Sequence, residues 1–394
     1  MSQQLINRSP DLLRLRDEGY DLGFRSGYLL IRNIPYVSSD KTVKNGMLVS
    51  ELTLAGDVTT TPKDHVVRFS GDRPCHKDGS EITQIINSSN REVLDHDLVV
   101  DHLFSSKPTS GSYRDFHEKM TTYIAIISSP AVSIDPTVTP RIFPVIESED
   151  EKSVFKYIDT ASSRAGINVA SKKLELEKIA IVGLGGTGSY ILDLVAKTLV
   201  KEIHLFDGDR FSQHNAFRSP GAPSLDDLNK KTQKAVFFQE QYSRMRSHII
   251  AHDCYVNASN IDFLRGMDFV FLCLDNGTAR KLLVDKLEEF AIPFIDVGMG
   301  IYQVEGSLGG ILRTTTSTIK QREHVRAKGR IPFSDGNDND EYSRNIQIAD
   351  LNALNAALAV IKWKKLFGFY LDLENEHYSA YVINGNVLIN EDQA

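Results

Sequence analysis

Cysteine is scarce, with only Cys75, Cys254 and Cys273 in a chain of 394 residues. None stands three positions from another, so there is no Cys-x-x-Cys pair and no four-thiolate zinc site is expected. Scattered thiols fit a reducing compartment better than a disulfide framework. Long apolar runs are also missing. No segment approaches the roughly 20 residues of a membrane span, and the opening MSQQLINRSP lacks the apolar core of a signal peptide. A soluble, cytoplasmic protein with no membrane partner is the expectation. Nor is there an excess of positive charge: 45 Lys plus Arg face 52 Asp plus Glu, a net charge of −7. Neither half is basic, which argues against a nucleic-acid partner but leaves room for a local cationic cluster around one small phosphorylated ligand. Internal repeats and low-complexity tracts are absent.

What is present is an ordinary globular composition, 41% hydrophobic and 25% charged, long enough for two or three units of roughly 150 residues each. In residues 1–150, GYLLIRNI (27–34), HVVRF (65–69) and YIAIISS (123–129) read as β-rich segments between turn clusters, with a helix over Asp11 to Glu18. A smaller, sheet-rich α+β domain is expected there. The segment IDPTVTPRIFPVIESEDEK (134–152) reads as a linker. From residue 153 the pattern changes. Strands over 178–182, 202–206, 248–256, 269–276 and 293–300 alternate with helices over 189–199, 226–246 and 279–291. Such alternation predicts an α/β, doubly wound, mostly parallel Rossmann-like sheet over 153–394. Residues 304–315 read as a hairpin, 320–343 as a mobile crossover loop, and 348–366 as a last amphipathic helix serving core or dimer interface.

The strongest local signal is KIAIVGLGGTGSYILDLVAKTL (178–199). Gly183, Gly185 and Gly188 stand in G-x-G-x-x-G spacing between a strand and a helix, the arrangement that lets backbone N–H groups approach a phosphate. At the end of the second strand, Asp207 or Asp209 lies where a ribose hydroxyl would be held. Alone this means a nucleotide of some kind. Further along, Asn215 and Arg218 follow the second strand, Lys234 lies in a helix, and Asp275 ends the fourth strand. Two cations, an amide and a carboxylate at strand ends suit Mg-ATP.

Together these segments resemble the ThiF/MoeB/ubiquitin-activating-enzyme superfamily. GLGGTGS (183–189) is similar to its nucleotide loop, which brings in Gly186 and Ser189. DGDRFSQHNAFR (207–218) is similar to its Asp-x-Asp…Asn-x-x-Arg stretch. The resemblance implies ATP and Mg²⁺ as cofactors, Asp207 on the ribose, and Asn215 and Arg218 at the phosphates. It makes Lys234 the catalytic lysine, with Lys230 and Lys231 as rivals, and Asp275 the magnesium ligand. SSRAGI (162–167) resembles a segment whose arginine, here Arg164, reaches a neighbouring subunit's ATP, implying a homodimer. The implied reaction is adenylation of the C-terminal carboxylate of a ubiquitin-like or sulfur-carrier protein, with residues 1–150 recruiting the carrier or an acceptor. Adenylation of a small-molecule, peptide or tRNA-linked carboxylate, an NAD-dependent oxidoreductase and a non-catalytic nucleotide-binding scaffold are the alternatives.

No cysteine follows Cys273, so a thioester at the family's usual position is excluded. Cys75, in DRPCHKDG (72–79), has Arg73, His76 and Lys77 nearby. These cations would lower its pKa and make it an acyl acceptor, against the reading of an ordinary loop cysteine. His65, His76, His96, His102 and His117 show no metal-ligand spacing and read as solvated or core-satisfied. Arg244 and Arg246 read as a solvated helix end.

Overall fold

The computed structural model describes residues 2–148, 153–334 and 346–394. It divides into two compact units, Met1–Glu149 and Asp150–Ala394. Part of the expected linker and residues 335–343 of the expected crossover loop lie outside the described residues.

The first unit is built on a six-stranded sheet. Its order is Asp21–Arg25, Tyr28–Val37, Val43–Glu51, Val66–Ser70, His102–Ser105, Ile86–Ser88, with every neighbouring pair antiparallel. One face is apolar. Leu29, Ile31, Leu48, Val67 and Phe104 pack there with Met120, Tyr123 and Ile127. Those last three lie on a helix, Phe116–Ile134, which corrects the reading of 123–129 as a strand. Asp115 caps it by accepting from the Glu118 N–H at 2.8 Å, and Phe116, Met120, Tyr123, Ile124 and Ile127 bury one helical stripe. The segment expected to be a linker is partly docked. The Phe143 N–H donates to the Gly19 carbonyl at 3.0 Å, and the Arg141 guanidinium lies 5.5 Å from the centre of the Tyr20 ring.

The second unit holds an eight-stranded sheet among the described residues. Its order is Ile249–His252, Glu202–Phe206, Lys178–Val182, Phe269–Leu272, Phe294–Val304, Ser307–Ser317, Glu376–Val382, Val387–Gln393. The first five run parallel and the rest add antiparallel. Lys178–Val182, the first strand of this unit in chain order, is central among the five parallel strands, with the second and third on one side and the fourth and fifth on the other, so the winding reverses beside it. Side-chain alternation divides the parallel strands between two cores. Ile179, Ile181, Leu205 and Phe271 pack with the helices Gly186–Val195 and Ala349–Leu366. Ala180, Val182, Val270 and Leu272 pack with the helix Gly277–Glu289 on the opposite face. Burial on both faces is why these strands read as unbroken apolar runs.

Three expectations are corrected in this unit. The helical text of 226–246 is two helices, Leu225–Lys230 and Lys234–Tyr242, broken where Lys231 takes a left-handed conformation with φ 48°. The strand at 248–256 stops at His252, so Cys254 lies outside it. The described part of the crossover, read as a loop, holds a helix at His324–Ala327, and the Arg330 and Pro332 carbonyls accept from Arg313 and Arg280. The expected hairpin is present, turning through Glu305 (φ 50°) and Gly306 (φ 81°), a primed two-residue turn. Its extension by two further strands had no sequence signal that was recognised.

Candidate functional site

The glycine loop leaves the central strand at its carboxyl end. Gly183 has φ +91°, and a Cβ there would meet the Cys273 carbonyl at 2.5 Å. A Cβ on Gly188 would sit 1.9 Å from the Gly183 carbonyl oxygen. Both positions therefore require glycine for close backbone packing. Gly185 differs: a Cβ there would have only the Gln347 Oε1 within reach, at 3.8 Å. It caps the helix Gly186–Val195, and Ser189, fully buried, donates its hydroxyl to the Gly185 and Gly186 carbonyls, both at 2.7 Å.

Asp207, at the end of the second strand, ties the loop to the next turn. Its Oδ2 accepts from the Leu184 N–H at 2.7 Å and its Oδ1 from the Asp209 N–H at 2.9 Å. Burial pushes this carboxyl above the ordinary carboxylate range, against the opposing pull of Lys234. Lys234 begins its helix with Nζ buried, 2.7 Å from Asp209 Oδ2 and 3.7 Å from Asp207 Oδ1. Burial would raise the Asp209 carboxyl, but hydrogen bonds from Lys234 and Tyr255 overcome it and hold the group below its usual value. Lys230 is exposed and pairs with Asp227 at 3.3 Å, and Lys231 occupies the helix break.

Asn215 is buried at 3% exposure. Its Oδ1 accepts from the Ser212 N–H at 2.9 Å, closing a capping box, while its Nδ2 has no acceptor among the described residues. Arg218, three residues on, also has a buried Nε without an acceptor among them. Asp275 is exposed just past the fourth strand, and the next residue, Asn276, caps the helix Gly277–Glu289 by accepting from the Ala279 N–H at 2.7 Å. Arg164 is exposed at the end of the short helix Thr160–Arg164. Hydrogen bonds and ion pairs thus join Leu184 of the glycine loop to Asp207, Asp209 and Lys234; Asn215 and Arg218 follow the same turn.

Three contributors had been missed. Tyr255 donates its hydroxyl to Asp209, lies against Gly208, and has its phenol pushed up to about 12 by that hydrogen bond. Gln347, two residues before the last helix, and Asn352, in its first turn, reach the glycine loop. The amide-rich text of 345–355 was the available signal, but it read as core.

The cysteine expectation is reversed. Cys75 is wholly buried, its Sγ donates to the Arg73 carbonyl at 3.4 Å, and burial with help from Glu81 pushes the thiol up despite Arg73. Burial likewise pushes up Cys254 and Cys273. Arg246 is also corrected. It is fully buried, donating to the Ala196, Thr198, Val200 and Lys201 carbonyls. Of the histidines, His117 meets Glu18 at 2.9 Å and His102 meets Ser89 at 2.9 Å. No group of three or more metal-ligating side chains occurs among the described residues, and no helix among them is long and apolar enough to cross a membrane.

Residues 161–362 match the ThiF family. The chain belongs to that family. Residues 10–160 match a second profile, described as a domain of unknown function, DUF6791. Ubiquitin-like modifier-activating enzyme 5 of Culex quinquefasciatus is 26% identical over 161 residues, covering 38% of this chain and 40% of that protein. SUMO-activating enzyme subunit uba-2 of Caenorhabditis elegans is 27% identical over 146 residues, covering 37% of this chain and 25% of its own length. The matched region thus spans less than half of either relative. Among solved structures, E. coli MccB with ATP is 17% identical, covering 59% of this chain and 67% of that one at a TM-score of 0.42. E. coli MccB with AMPCPP and MccA is 18% identical over 60% and 70%, at 0.45.

Proposed function

We propose that residues 153–394 bind ATP at the carboxyl edge of the large sheet and adenylate a carboxylate, that of the C-terminus of a ubiquitin-like or sulfur-carrier protein. The observation that carries this reading is the pair of buried donors without acceptors, Asn215 Nδ2 and Arg218 Nε. They follow a turn whose carboxylate ties it to a glycine loop. Leaving such donors unmet costs about 1–3 kcal/mol each, and phosphate oxygens would meet them. The kinship with activating enzymes of ubiquitin-like modifiers supports the substrate class.

In the reaction a carboxylate oxygen attacks the α-phosphorus, a new acyl–O–P bond forms, and the bond to the β-phosphate oxygen breaks to release pyrophosphate. The chain need supply no nucleophile for this step. Its residues position the triphosphate and offset charge that grows on the leaving group. Asp207 orients the ribose, Gly185, Gly186 and the following N–H groups face phosphate, and Arg218 and Lys234 carry the positive charge. Lys234 already lies between Asp207 and Asp209, which holds its ammonium at the edge of the glycine loop. Asp275 fits a Mg²⁺ ligand, since one carboxylate with phosphate oxygens and water is a sufficient donor set; the ion would share the triphosphate charge. Arg164 is assigned to a neighbouring copy's site in a homodimer, and the first unit to carrier recognition. The reading ends at the acyl-adenylate, because no thiol is in a setting that favours the thiolate.

ATP–pyrophosphate exchange, with and without candidate carriers ending in a free glycine, tests it. Exchange that depends on such a carrier is expected, and Asp275→Ala should abolish it while the protein still melts cooperatively. ATP binding without exchange for any ubiquitin-like candidate would transfer the substrate to the small-carboxylate class. Full activity in Asp275→Ala would remove the metal role.

A further inference from the structure

Two amides reach the glycine loop, Asn352 from the last helix and Gln347 from two residues before it. Asn352 is fully buried. Its Oδ1 accepts from the Thr187 hydroxyl at 3.0 Å, and its Nδ2 donates to the Arg218 carbonyl at 3.2 Å. It packs so closely that a Cβ on Gly186 would fall 1.9 Å from Nδ2. One side chain thus joins the first turn of the loop helix to the residue whose guanidinium follows it.

Gln347 is half-buried, and its Oε1 accepts from the Gly186 N–H at 3.3 Å. That N–H belongs to the first turn of a ten-residue helix, where donors lack intrahelical acceptors and the helix dipole favours an anion. The amide oxygen is neutral, and its distance lies beyond the usual 2.7–3.2 Å for such bonds. A charged phosphate oxygen forms a shorter and stronger bond to the same donor.

Resting on the ATP reading above, we propose that Gln347 occupies an anion seat on Gly186 that a nucleotide phosphate takes over, while Asn352 is a positioning residue that keeps the glycine loop and Arg218 in register as Gln347 withdraws. The two amides then act on nucleotide affinity with opposite signs.

Calorimetric titration of the full chain with ATP and, in parallel, with adenosine tests this. Gln347→Ala should tighten ATP about two- to fivefold, the range of one weak neutral hydrogen bond, and leave adenosine unchanged. Gln347→Glu should weaken ATP about tenfold or more, since a carboxylate holds the N–H better and repels phosphate. Asn352→Ala should weaken ATP by about tenfold, and Thr187→Val, which removes one of the same bonds from the other side, by a few-fold. Asn355→Ala is the matched control. Asn355 is an equally buried amide on this helix, bonded to the Gly298 carbonyl at 3.1 Å, so its loss should lower the melting temperature without changing ATP affinity. Gln347→Ala that weakens ATP or leaves it unchanged would overturn the exchange. Asn355→Ala and Asn352→Ala behaving alike would reduce Asn352 to a structural residue. A wild-type chain that binds neither ligand would overturn the ATP reading itself.

Discussion

At the amino edge of the large sheet, Arg246 is fully buried and directs its donors to carbonyls of Ala196, Thr198, Val200 and Lys201. Beside it Asp268 accepts the Glu177 and Lys178 N–H groups at 2.7 and 3.0 Å. At the carboxyl edge, Arg218 and Asn215 each keep a buried donor with no acceptor among the described residues. Both edges hold strongly polar groups next to the same apolar core. One edge closes its hydrogen bonds on the chain itself, and the other leaves them open. Burial alone therefore does not separate the two arginines; their acceptors do.

Exchanging the fates of the two arginines would break that comparison. Arg246→Met strands several buried carbonyls and should destabilise the unit by about 3 kcal/mol or more, seen as a melting temperature lower by roughly 6–12 °C. Exchange activity per folded molecule should stay within about twofold. Next in size, Arg218→Ala should lower pyrophosphate exchange by about 10²–10³-fold, as expected for one donor aimed at developing charge, with little change in melting. A stability loss for Arg218→Ala equal to that of Arg246→Met would erase the distinction between the edges. The smallest effect sharpens it at a single bond. Tyr255 should titrate near pH 12, and Asp209→Asn should return it toward the ordinary value of about 10. The sign follows from the proton: a raised phenol pKa means that the folded state holds its proton more tightly. Stability from this contact is complete below the unfolded pKa and is lost as pH rises through the folded one. Tyrosine-selective NMR titration reads both.

The parallel half of the second unit was legible in the sequence. Lys178–Val182 and Glu202–Phe206 appeared at their observed bounds because both faces of those strands are buried and glycine or a charged turn ends each. In the candidate site, Asp207 and Asp209 stand directly after the second strand, where chain order and spatial order coincide, while Lys234 reaches them from the start of a helix. Gln347 and Asn352 were not legible, since their contacts span 134 to 165 positions and an amide looks the same whether it faces core or loop. Tyr255 escaped because the strand before it ends at His252, turning the residue toward Asp209. Arg246 looked solvated because a neighbouring arginine and two serines suggested water, whereas a fixed planar fork of donors suits several clustered carbonyls. The helix Phe116–Ile134 was misread from a seven-residue window rich in isoleucine, too short to show the buried positions at Phe116 and Met120 that set its period.

The short strip before the ThiF match has a practical consequence for dissecting the chain. Its backbone is stitched to the end of the helix Lys234–Tyr242: the Lys156 N–H donates to the Met245 carbonyl at 3.0 Å, and the Ser247 N–H to that of Val154 at 2.8 Å. The Phe155 ring lies 5.9 Å from the Arg246 guanidinium. A fragment cut at the family boundary, beginning at residue 161, would uncover that guanidinium and lose one flank of its lining. Cutting before Ser153 keeps the strip with the unit it stabilises, so the borders drawn by sequence families and by folding differ here by several residues.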